Sequence, residues 1–156
     1  METVQIAGSA ALVVALLLAT VLGLVARRSS GRFRTPALRK SGRRGSAAAM
    51  SDKDSLTPAD LGQALGERAT LVQFSTAFCQ PCRAARRILH EVSGLVPGVA
   101  YVEVDAESHL DLVRRLDILR TPTVLVLDAH GRVSTRASGT PTKPDVIAAL
   151  GRAIPG

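Results

Sequence analysis

The stretch Thr70-Leu71-Val72-Gln73-Phe74-Ser75-Thr76-Ala77-Phe78-Cys79-Gln80-Pro81-Cys82-Arg83 runs from an apolar segment into two cysteines separated by two residues. Residues 70–75 read as a buried strand. Beyond the cysteines, Ile88, Leu89 and Val92 recur at helical spacing. A Cys-x-x-Cys at a strand-to-helix junction puts one thiol at a helix N-terminus, where backbone N–H groups and the helix dipole favour a thiolate. The second thiol lies one helical turn further, within reach of a disulfide. A reversible dithiol/disulfide couple needs that geometry. Cys79 and Cys82 are the only cysteines in the chain, and the loop between them is too short to staple a domain. A zinc site would need two further ligands; there is no second cysteine pair, and His90, His109 and His130 are isolated from one another. Redox chemistry is therefore the reading of the pair, with no metal and no cofactor expected.

Outward from this stretch the chain is regularly punctuated. Thr57-Pro58-Ala59-Asp60 combines an N-cap, a proline in the first turn and an acid at the third position, so a short helix to about Leu65 is expected. The strand at 70–75, a helix over 80–93, a strand over 99–105 and a helix over 107–116 follow. A strand over 122–128, an Ala129-His130-Gly131 turn, a strand over 132–138 and a last helix from Pro144 to Arg152 complete the order α-β-α-β-α-β-β-α. Strands alternating with helices and ending in a hairpin imply an α/β fold, with a central mixed sheet flanked by helices.

Towards the N-terminus, residues 3–26 carry no charge, and Val4–Ala26 is longer than the roughly 20 residues that cross a bilayer as a helix. A cleaved signal peptide would want positive charge before the apolar run, whereas Met1 and Glu2 lead it and the arginines come after. The expectation is one N-terminal transmembrane helix as an anchor. Basic flanks stay cytoplasmic, which places the folded domain on that side. Residues 27–51, rich in Ser, Gly, Ala and Arg, read as a basic flexible tether that also meets anionic lipid, and 52–156 as the globular domain. Met50 opens an alternative soluble start. The net charge of +7 belongs to the tether: residues 27–44 hold eight basic residues and no acid, while 52–156 hold twelve of each. With three Phe, one Tyr and no Trp, this pattern does not suit a nucleic-acid partner.

The element order, Phe78-Cys79-Gln80-Pro81-Cys82 and Arg120-Thr121-Pro122-Thr123 together resemble the thioredoxin family over residues 55–153. The resemblance implies a thioredoxin-like fold and a protein-disulfide reductase. Cys79 would be the attacking cysteine and Cys82 the resolving one. Phe78, Gln80, Pro81, Thr121, Pro122 and Gly139 would form the substrate face, with a cis peptide bond before Pro122. Implied partners are protein disulfide substrates and a thioredoxin-reductase-like electron donor. Four positions depart from the family pattern. Phe78 stands for the usual Trp, Gln73 for a buried Asp, Tyr101 for a Lys, and Arg87 for a helix proline, so an uninterrupted helix is expected. Gln73 cannot take a proton from Cys82. Glu103 shares a strand face with Tyr101 and reads as solvent-facing, with a substitute for the missing acid as the alternative. Arg83 lies close enough to favour the Cys79 thiolate, whereas Arg86 and Arg87 read as solvated or paired with Glu91. Two other functions fit the motif: an exported oxidoreductase for cytochrome maturation or disulfide formation, and a redox-inert adaptor on the same fold.

Overall fold

The computed structural model describes residues 14–24, 33 and 55–154. The chain divides into two units, Met1–Ser30 and Gly31–Gly156. In the first, residues 14–24 are helical (α1), and large apolar side chains including Leu16, Leu18 and Leu22 are exposed. Thr20 satisfies its hydroxyl within the helix by donating to the Leu16 carbonyl at 2.6 Å. Among the described residues no helix is long and apolar enough to cross a membrane. Residues 3–13 and 25–26 of the expected anchor, and all of the tether except Phe33, lie outside the described residues.

The second unit is built from α2 (Pro58–Leu61), β1 (Ala69–Ser75), α3 (Gln80–Leu95), β2 (Val99–Asp105), α4 (Leu110–Arg115), β3 (Thr123–Asp128), β4 (Val133–Ser138) and α5 (Lys143–Ala153). The four strands form one sheet in the order β2-β1-β3-β4. β1 pairs in parallel with β2 and antiparallel with β3, and β3 pairs antiparallel with β4, so the sheet is mixed as the element order implied. All seven residues of β1 are buried. Period-two alternation sends them to opposite faces. Val72 and Phe74 join Leu125 and Leu127 in a cluster closed by Leu61 of α2 and by Leu112 and Leu116 at α4. Ala69 and Leu71 join Val124 and Val126 in a second cluster, closed by Leu89 and Val92 of α3 and Val146, Ala149 and Leu150 of α5. Phe33, half-buried, packs against this second cluster.

Two helices differ from expectation, each for a local reason. α2 stops at Leu61 because Gly62 takes a left-handed conformation, φ 65°, as its C-cap. Its start is a reciprocal cap: the Thr57 side chain accepts from the Asp60 N–H while the Asp60 carboxylate accepts from the Thr57 N–H. α4 begins at Leu110 rather than 107, because the Asp105 carboxylate accepts from the Glu107 N–H and the Ser108 hydroxyl and holds 105–108 as a turn. α5 starts at Lys143 with Thr142 as its cap.

In the β3–β4 turn, Asp128 Oδ1 accepts from the N–H groups of His130 and Arg132, and Gly131 has φ 79°. The Leu56 N–H donates to the Gly131 carbonyl at 2.9 Å. A Cβ at residue 131 would lie 2.1 Å from the Leu56 carbonyl oxygen, which is backbone and cannot step aside. Gly131→Ala therefore combines left-handed strain with a clash, and should lower stability by about 1–3 kcal/mol. Urea unfolding measures this, and an unchanged midpoint would contradict the packing described.

Candidate active site

The sheet register gathers the residues that the sequence singled out. Phe74 of β1 lies opposite Thr123 of β3, and Thr123 lies opposite Ser138 of β4. The end of β1, the entry to β3 and the exit of β4 are therefore side by side at one end of the sheet. Two hydrogen bonds join them, and a third ties the exit of β4 to the first turn of α3. The Thr76 and Thr121 hydroxyls are 3.3 Å apart, the Gly139 N–H donates to the Pro122 carbonyl at 2.7 Å, and the Thr140 hydroxyl donates to the Pro81 carbonyl at 3.1 Å. The Thr121–Pro122 peptide bond is cis, and Gly139 has φ 97°.

Cys79 caps α3, and its sulfur accepts from the Cys82 N–H at 3.1 Å. Cys79 and Cys82 are joined by a disulfide, with Cα atoms 5.2 Å apart. Pro81 sits in the first turn, where its missing N–H costs nothing. The two sulfur-bearing residues differ in access: Cys79 is half-buried, whereas Cys82 is 2% exposed. Gln80 and Pro81 are exposed, Thr121 and Gly139 half-buried, and Pro122 buried. Phe78 is 99% exposed. Leu119, which the sequence reading passed over, is 93% exposed two residues before Thr121. Thr76 and Thr140 were also missed. Their signal is positional, since Thr76 directly follows β1 and Thr140 directly follows Gly139.

Beneath Cys82, Gln73 is fully buried and both ends of its amide are engaged. Nε2 donates to the Cys82 carbonyl at 2.9 Å, and Oε1 accepts from the Tyr101 hydroxyl at 3.1 Å. Glu103 is not a lone solvated carboxylate. Its Oε1 accepts from the Ser75 hydroxyl and from Arg86 Nη2, each at 2.6 Å. Arg86 thus pairs with Glu103 rather than Glu91, which instead meets Lys143. The reason is register: Gln73 and Glu103 are Cα partners, so Glu103 comes up beside the end of β1 that leads into α3. Arg87 sits mid-helix, exposed, in an uninterrupted α3. Burial, and then the neighbouring Glu103 charge, push the Tyr101 phenol up to about 12. Among the described residues no cluster of three or more His, Cys, Asp or Glu could hold a metal ion.

The thioredoxin family model matches residues 54–152. Human thioredoxin domain-containing protein 2 is 40% identical over 58 residues, covering 37% of this chain and 10% of that protein. Thioredoxin H5 of Oryza sativa subsp. japonica is 28% identical over 72 residues, covering 46% of this chain and 53% of its own. The chain thus spans about a tenth of the first relative and about half of the second. Among solved structures, thioredoxin NaTrxh from Nicotiana alata superposes with a TM-score of 0.50 at 20% identity, covering 57% of this chain and 76% of that one. At that identity the likeness concerns the fold.

Tyr101 is the only tyrosine and there is no tryptophan, so tyrosinate absorbance reports this residue alone. Its titration in the folded protein should have a midpoint of about 12, against ~10 in urea. Glu103→Gln should lower the folded midpoint. Because the fold disfavours tyrosinate, this group's contribution to stability is whole below ~10 and is lost as pH rises through about 12. A folded-state midpoint at the unfolded value would contradict the burial and charge described.

Proposed function

The chain belongs to the thioredoxin family, and on that premise we propose that it is a thiol-disulfide oxidoreductase that reduces protein disulfides through Cys79 and Cys82. One observation carries the reading. The two sulfurs share the first turn of α3, one within reach of a partner and the other enclosed, beside the Thr121–Pro122 loop. The half-buried sulfur is the one to meet a substrate. The Cys79 thiolate attacks a substrate disulfide, a mixed disulfide forms, and one substrate sulfur leaves as a thiolate. The Cys82 thiolate then attacks Cys79, the second substrate sulfur leaves, and the protein is left with the Cys79–Cys82 disulfide. Two electrons pass to the substrate, so a separate dithiol or flavin donor of the thioredoxin-reductase kind must return the protein to the dithiol.

The substrate face in this reading is Phe78, Gln80, Pro81, Thr121, Pro122 and Gly139. An extended segment would lie along the half-buried Thr121 and Gly139 backbone, with the exposed Phe78 ring giving apolar contact. Residues 3–26 anchor the protein in a membrane with the domain on the cytoplasmic side. The charge-free run and the basic flank after it support that placement, as do the exposed apolar side chains of α1.

Trapping tests the exchange reaction. Cys82→Ser should accumulate mixed disulfides with partner proteins in cells, and Cys79→Ser should not. In the reduced full chain, iodoacetamide should modify Cys79 at least about tenfold faster than the enclosed Cys82. Equal labelling, or no trapped partner with Cys82→Ser, would count against the assignment of roles.

A further inference from the structure

Gln73 presents Cys82 with a neutral amide, and the orientation of that amide is open to control. The two ends of a carboxamide have nearly the same shape, so hydrogen-bond partners decide which way it faces. The Cys82 carbonyl can only accept, and it meets Nε2 at 2.9 Å. The Tyr101 hydroxyl meets Oε1 at 3.1 Å and must therefore donate. With its phenol pushed up to about 12, Tyr101 remains a donor throughout the range in which thiols titrate.

Tyr101 is itself held in place. The His90 ring on α3 lies edge-on to it, with centroids 6.3 Å apart and planes at 72°. The Arg86 guanidinium of α3 and the Glu103 carboxylate of β2 act on its hydroxyl, and they are joined to each other at 2.6 Å. A hydrogen-bonded line therefore runs from the Cys82 carbonyl through Gln73 to Tyr101, which the Arg86–Glu103 pair flanks at the surface.

We infer that Tyr101 is a positioning residue for the exchange reaction: by donating to Gln73 Oε1 it keeps the amide NH2 turned towards the turn that bears Cys82, and so sets the rate of the resolving step. The inference rests on the exchange reading above. In that step the Cys82 thiol loses its proton to the buffer and the thiolate attacks Cys79. The Cys79–Cys82 bond forms, the bond from Cys79 to substrate breaks, and the substrate sulfur departs as a thiolate. The NH2 group holds the Cys82 carbonyl at 2.9 Å, and so fixes the first turn of α3 from which the enclosed thiolate must reach Cys79. A carboxamide turned the other way would set oxygen lone pairs against the Cys82 carbonyl and release that turn.

The test is stopped-flow oxidation of the fully reduced full chain by an equimolar aromatic disulfide, dithionitrobenzoate. The first equivalent of thionitrobenzoate is released by Cys79 attack in a second-order phase. The second is released when Cys82 resolves the mixed disulfide, in a first-order phase. Tyr101→Phe keeps the ring and removes the donor. It should slow the second phase about tenfold and leave the first within about twofold. Gln73→Leu should slow the second phase at least as much, and the double variant should be no slower than Gln73→Leu alone, because Tyr101 acts through Gln73. An unchanged second phase in Tyr101→Phe, equal slowing of both phases, or fully additive effects in the double variant would overturn the positioning role. Absence of both phases in the wild-type chain would instead overturn the exchange reading, and this inference with it.

Discussion

A strand bonded along both edges and covered on both faces leaves no place for an unpaired polar atom, and β1 is such a strand. Its alternation divides the apolar core into two clusters, one under α2 and α4 and one under α3 and α5. Its length decides where the chemistry sits. β1 ends at Ser75 beside the entry to β3, so the turn that follows it carries the cysteine pair alongside Thr121 and Pro122. The residue on β1 that faces the first turn of α3 is Gln73, and the burial of the strand obliges both ends of its amide to find partners. The constraint that builds the sheet therefore also determines what lies beneath the resolving cysteine.

That arrangement separates two demands that one ionisable side chain would have to combine. A buried carboxylate could move a proton, but its charge would have to be desolvated within the core. Gln73 avoids the desolvation and keeps a donor in place, and charged groups are moved outward to the partly exposed Arg86–Glu103 pair. Such a pair contributes little stability in water, on the order of 0–1 kcal/mol. Its value here is geometric, because it flanks the hydroxyl of Tyr101. The substrate side is arranged differently again, with a bare Phe78 ring next to the half-enclosed Cys79 in the chain and an exposed Leu119 two residues before Thr121.

Much of this was legible in the residues. The apolar run at 70–75, helical spacing after Cys82 and the turn at 129–131 helped to give the element order, because burial imposes those patterns directly. The cysteine pair was legible because its spacing and its place at a strand end are local properties. Local side-chain chemistry that competes with helix formation was harder to read. Asp105 holds a turn where a helix over 107–116 was expected to have begun, and Gly62 ends α2 a turn early. Long-range partnerships were not legible at all. Nothing in the sequence around Arg86 or Glu91 says that Arg86 reaches Glu103, which follows only once β2 is in register with β1, or that Glu91 reaches Lys143, which follows only once α5 packs beside α3. The same holds for Tyr101 and Gln73. Each was visible as a departure from the family pattern, but their contact is a product of the sheet.

Whether Cys79 and Cys82 form a working redox couple decides the function, and the reduction potential of the full chain equilibrated against a dithiothreitol or glutathione buffer tests it most directly. A reversible two-electron couple near ~−270 mV is the result that a protein-disulfide reductase requires. A potential near ~−120 mV would mark an oxidant instead, and no reversible couple would leave the fold without the chemistry proposed for it.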